Sequence, residues 1–197
     1  MMRLVLILSL ACALLLAPSA VLAQHEVPES LTCLERSYTA QQNARINELL
    51  PTMMPEDQAQ SEELASYAAS AAQICGSRYG WNRAQHVNAV VYEFSRLQEY
   101  RFRNYGPLSP EQLAGFDMAL AAGDRSELWS AMESQINVAA DMSESANDSD
   151  AEGREADVVI GEFAVEVGLE TGSKAEQMGE LLGYMALQRW ARQKFAE

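Results

Sequence analysis

The sequence predicts an all-α protein: a single-domain bundle of about six or seven helices, its first helical hairpin stapled by one disulfide. Three observations lead there. Helix start and stop signals recur after residue 30, with apolar residues three and four apart between them. Only residues 157–171 alternate in the manner of a strand, and a lone strand has nothing to pair with. Once a leader is removed, two cysteines remain, at positions that a helical hairpin brings together.

The leader is Met1–Ala23, MMRLVLILSLACALLLAPSAVLA. One cation, Arg3, precedes an apolar run from Leu4 to Ala17. Pro18 and small residues follow, with Val21 and Ala23 placed for a cut that leaves Gln24 as the new terminus. The run is too short and too proline-interrupted for a comfortable membrane span. The expected product is therefore periplasmic or secreted, with residues 24–197 as one helical domain and no stable membrane insertion after cleavage. Cleavage removes Cys12 and leaves Cys33 and Cys75, which outside the cytosol are expected to form a disulfide.

The elements follow in order. Thr32-Cys33-Leu34-Glu35 has the form of a capping box, so a helix is expected from about Cys33 to Leu50, stopped by Pro51. A second is expected from near Pro55 to Cys75, with Leu64, Ala68, Ala71 and Cys75 on its apolar face and Gly76 as its left-handed cap. The short loop between them folds the pair back antiparallel and brings Cys33 to Cys75 at one end. A third helix runs from Trp81 to Tyr105 and ends at Gly106-Pro107. Ser109-Pro110-Glu111-Gln112 opens a fourth and Asp124-Arg125-Ser126-Glu127 a fifth. Ser143–Asp157, SESANDSDAEGREAD, is polar and without apolar period and reads as an acidic flexible loop. Over 157–171 the helical spacing of Val159, Phe163 and Val167 is preferred to the alternating one. Ser173-Lys174-Ala175-Glu176 caps a last helix to the C-terminus, with Met178, Leu181, Leu182, Met185 and Trp190 inward.

Charge narrows the partners. Twenty-eight acidic residues stand against 14 Lys and Arg, a net charge of −14, and loss of Arg3 adds one more negative charge. Such a molecule is repelled by nucleic acid and by anionic membrane faces. Against that background Arg78–Tyr105 stands out, with five arginines against only Glu93 and Glu99, and with Tyr79, Trp81, Tyr92, Phe94, Tyr100, Phe102 and Tyr105. Guanidinium forks bind carboxylates or phosphates and aromatic rings stack on a partner's apolar groups. Tyr79, Trp81, Arg83, His86, Arg96 and Arg103 are the candidate binding residues. The competing reading makes this segment the buried central helix, with Glu99 and Arg103 paired at i, i+4.

Other chemistry is weakly signalled. Asp148, Asp150 and Glu152, followed by Gly153, have the spacing of the first half of a calcium loop. The second half fails, because Val159 stands where a bidentate Glu is needed. No zinc helix of the His-Glu-x-x-His type, Gly-x-Ser-x-Gly elbow or Ser-x-x-Lys pair occurs. Gly168–Lys174 falls one residue short of a phosphate loop. The sequence thus predicts a non-catalytic binding or interaction module of the cell envelope, without a cofactor, acting on a protein or small-molecule partner. A hydrolase using His86 with a nearby carboxylate, and a weak calcium-binding protein, are the alternatives.

Overall fold

A computed structural model describes residues 27–54, 57–141, 150–169 and 172–197, with side chains described outside 138–155. Among these residues there are eight α-helices, a turn of 3₁₀ helix and no strand. The helices are α1 (Glu29–Thr32), α2 (Ala40–Leu49), α3 (Gln58–Tyr79), α4 (Arg83–Tyr105), α5 (Pro110–Ala121), α6 (Ser126–Asp141), α7 (Asp150–Glu166) and α8 (Ser173–Ala196); Leu34–Arg36 form the 3₁₀ turn. The expected leader, 1–23, lies outside the described residues. Among those described, no helix is long and apolar enough to cross a membrane.

The predicted all-α bundle is what forms, and the Cys33–Cys75 disulfide is present, with the two Cα atoms 6.0 Å apart. Its attachment points differ from expectation. Thr32 does not cap a helix: its hydroxyl donates to the Glu29 carbonyl at 2.7 Å, inside its own short turn. The capping box lies at Thr39, where Thr39 Oγ1 accepts from Gln42 N at 3.2 Å and Gln42 Oε1 accepts from Thr39 N at 2.9 Å. Cys33 therefore sits in the corner between α1 and the 3₁₀ turn rather than at the head of a long helix. At the other attachment, α3 runs one turn past Cys75, and Gly80, at φ 70°, is the left-handed cap.

α4 is the central helix, packed between α3 and α8 and antiparallel to both. Gly76 of α3 meets His86 near the start of α4. The Gln85 amide donates to the Phe195 carbonyl at the far end of α8 (3.4 Å), and Arg101 reaches Glu180 at the near end (2.8 Å). α6 and α7 form a second antiparallel pair, fastened by Arg125 to Glu166 and by Gln135 to Asp157, and close onto α8. Phe102, Phe116, Leu128, Phe163, Leu181 and Leu182 anchor one core. Leu31, Leu34, Tyr92 and Phe195 build another around the bridge, and Ile46, Leu64 and Leu97 a third between α2, α3 and α4.

The acidic-loop reading of 143–157 needs correction. Residues 142–149 lie outside the described residues, but α7 begins at Asp150, seven residues inside the predicted loop. The helical reading of 157–171 holds as far as Glu166. Helix propagation from the apolar positions of α7 carries the acidic residues before them into its first turns, because extending a helix costs far less than starting one.

Candidate functional site

The segment Arg78–Tyr105 divides into two parts. From Glu93 onward its charged groups are paired within the molecule. Glu93 is fully buried on α4 and accepts from Tyr38 Oη at 2.7 Å and from Arg96 at 2.7 and 2.9 Å. Arg96 also reaches Glu35 at 3.3 Å, which ties α4 to the 3₁₀ turn. Burial, followed by the neighbouring Glu93 carboxylate, pushes the Tyr38 hydroxyl far above the ordinary tyrosine range. Burial opposes the Arg96 charge, and the bonds to Glu93 outweigh it, so the guanidinium is held above its usual value. Arg103 pairs with Glu99 at 2.7 Å, as the i, i+4 spacing predicted, and with Asp117 at 3.0 Å. Arg101, which is buried, is clamped between Gln98 and Glu180. The structure thus places Arg96 and Arg103 in internal ion pairs rather than on a free face.

The first part of the segment is different. Arg78 ends α3, Arg83 opens α4, and both are exposed. Tyr79 is 43 % exposed and stacks on half-buried Trp81, the ring centroids 6.4 Å apart and the planes 16° from parallel. Trp81 in turn meets Phe195 edge-on at 4.9 Å and His86 at 5.7 Å. The Arg78 guanidinium lies 4.0 Å from Cys33 Sγ, and exposed Arg36 lies one 3₁₀ turn beyond that cysteine. The disulfide and the α3–α4 turn therefore place Arg36, Arg78 and Arg83 at one end of the bundle. Among the described residues, none of these three has a carboxylate within 4.0 Å, whereas Arg45, Arg96, Arg101, Arg103, Arg125, Arg189 and Lys194 all do.

His86 is held for packing. Its Nδ1 lies 3.0 Å from the Asn82 carbonyl, and its Nε2 edge rests on Gly76, where a Cβ would collide with the ring. Two surface grooves lie elsewhere: one between α2 and α3 at Arg45, Glu63 and Tyr67, the other between α6 and α7 at Ser126, Ser130, Ala156 and Val159. His86 lines neither.

Asp148 lies outside the described residues. Asp150 and Glu152 fall in the first turn of α7. Among the described residues no group of three His, Cys, Asp or Glu side chains is placed to hold a metal ion.

No family model matches this chain, and no curated protein or solved structure matches it either. The site is therefore read from its own geometry. Sequence reasoning singled out Tyr79, Trp81 and Arg83 but missed Arg36, which lies outside the aromatic segment. Its signal was the bridge: a cysteine three residues away that joins it to the end of α3.

Proposed function

We propose that this protein is an exported, non-catalytic binding module that takes an anionic partner on the arginine–aromatic end of its bundle. One observation carries the reading: in a chain of net charge −14, three exposed guanidinium groups without carboxylate partners among the described residues lie at one end of the bundle, beside exposed Tyr79 stacked on half-buried Trp81. An acidic molecule ordinarily covers its cations with its own carboxylates. Three bare at one end give an anionic partner groups to pair with that the rest of the surface does not offer. The stacked rings add apolar area to a surface that charge alone would leave weakly held. Export rests on the layout of Met1–Ala23, and a disulfide suits an oxidising compartment.

The test is calorimetric titration with poly-L-glutamate at low and physiological salt. Wild type should bind, more tightly at low salt. The Arg78→Glu/Arg83→Glu variant should bind at least about tenfold more weakly, a loss of ~1.4 kcal/mol. Equal affinity in the two proteins would remove this end as the binding face. Export is checked separately, by an intact mass beginning at Gln24 in the periplasm or culture medium; a full-length mass there would refute cleavage.

A further inference from the structure

The turn that joins α3 to α4 is fixed from both sides. Gly80, at φ 70°, ends α3, and the amides of Gly80 and Trp81 both donate to the Gly76 carbonyl, at 2.8 and 3.0 Å. On the other side Asn82 and Gln85 close the capping box that starts α4. This turn presents Tyr79 and Trp81 with planes 16° apart and centroids 6.4 Å apart. Ring pairs in contact span about 4.5–7 Å, so these two are well offset and neither fully covers the other. Trp81 is braced by His86 and by Phe195, which is buried. The two rings are therefore held in place before any ligand arrives, and little ordering remains to oppose binding.

Polar groups on the same turn are unspent. Asn82 Oδ1 is used by the Gln85 amide, but among the described residues the Asn82 side-chain nitrogen, the Tyr79 hydroxyl and the Arg83 guanidinium make no hydrogen bond. Arg78, Tyr79, Gly80, Asn82 and Arg83 are all exposed, so a ligand here rests on an open surface. One unit covered on a single side is weakly held, and affinity on such a surface comes from repetition along a chain. Charge and shape narrow the polymer. Double-stranded nucleic acid carries one charge per ~1.7 Å of axis and meets the strongest repulsion from a chain of net charge −14. An acidic polypeptide carries its carboxylates on flexible stems, apart from any flat apolar face. In a uronic acid the carboxylate is bonded directly to a pyranose ring whose C–H face is flat and apolar. Such a ring stacked on Tyr79 brings its anion to the turn that carries Arg78, Asn82 and Arg83.

We propose that the Tyr79–Trp81 turn binds an acidic polysaccharide built of uronate units, its aromatic rings stacking on sugar faces and Arg78 and Arg83 pairing with the ring carboxylates. This rests on the reading that the arginine–aromatic end takes an anionic partner, and it names that partner's chemistry. The test is calorimetric titration of the full chain with polygalacturonate, poly-L-glutamate and neutral dextran, the two polyanions matched in carboxylate concentration. At physiological salt exposed charge pairs are screened and stacking is not, so polygalacturonate should bind at least about tenfold more tightly than poly-L-glutamate. Dextran, which lacks the anion, should bind far more weakly than polygalacturonate. Tyr79→Leu keeps apolar bulk at an exposed helix end and removes the flat ring. It should melt as wild type, lose about fivefold in affinity for polygalacturonate and leave poly-L-glutamate binding unchanged. The Arg78→Glu/Arg83→Glu variant should lose both polyanions. Equal or tighter binding of poly-L-glutamate, or polygalacturonate binding that ignores Tyr79→Leu, overturns the polysaccharide and leaves an acidic protein as the partner. Dextran binding equal to that of polygalacturonate overturns the uronate. Wild type that binds neither polyanion overturns the binding face as well.

Discussion

Glu93 shows what this fold does with a charge it buries. The carboxylate is fully enclosed, yet Tyr38 and Arg96 supply three donors to its two oxygens. The Glu93→Ala variant leaves Arg96 half-buried with only Glu35 at 3.3 Å and should cost ~3–5 kcal/mol, read from urea unfolding. A loss under ~1 kcal/mol would mean that water replaces the carboxylate without strain. Gly76 offers a second test at the scale of one residue. Alanine there should favour a helix by ~1 kcal/mol, but its Cβ meets the His86 ring, so Gly76→Ala should instead be destabilising by ~1–3 kcal/mol. In Gly76→Ala/His86→Ala the collision is gone and most of that loss should return. A neutral single variant would show that the ring simply swings away. Tyr184 carries a pH signature. Burial, then its bond to Glu180, pushes the hydroxyl up to about 12 from 10.0. A raised folded value means its contribution is complete below pH 10 and is lost as pH rises toward 12. Unfolding midpoints measured across that window should fall, and Tyr184→Phe should flatten the fall.

At the scale of elements, caps explain both the readable and the unreadable helix ends. Ser109 with Gln112, and Asn82 with Gln85, form complete capping boxes. The Ser109 box follows a Gly-Pro stop and was legible in the sequence. Thr32–Glu35 and Thr39–Gln42 both match the same pattern, and only the second is used, because Thr32 is already bonded to Glu29 and Cys33 is held by the bridge. Which of two matching patterns wins depends on a contact 42 residues away in sequence, and no local rule contains it. The bridge itself was legible, since hairpin geometry brings the two cysteines to one end whether or not Cys33 heads a helix. Cys75→Ser should cost ~2–5 kcal/mol and loosen Arg36 from Arg78. It should therefore also weaken poly-L-glutamate binding; unchanged stability would mean that the end is held by its apolar core alone.

Over the whole molecule, the acidic surface sets how stability responds to acid. Arg45 and Tyr67 hold the Glu63 carboxyl below its ordinary value, Arg125 does so for Glu166, and backbone bonds do so for Glu111 and Asp124. Lowered folded values mean that their contributions are complete above the ordinary carboxylate range and are lost as pH falls from it through the lowered values. These groups lie at the surface, so each loss is small and salt-sensitive. Acid melting curves at low and high salt should converge below that range; curves that stay apart would place the acid-sensitive groups in the interior.

The sequence by itself determined the helical class, the bridge and most of the helix boundaries. Those follow from spacing, capping chemistry and chain geometry, which act over a few residues or along one hairpin. Only the tertiary structure decided which arginines have partners. Arg78, Arg83, Arg96 and Arg103 are alike in a sequence window, and each fate depends on whether a distant carboxylate arrives: Glu35 for Arg96, Asp117 for Arg103, none among the described residues for Arg78 or Arg83.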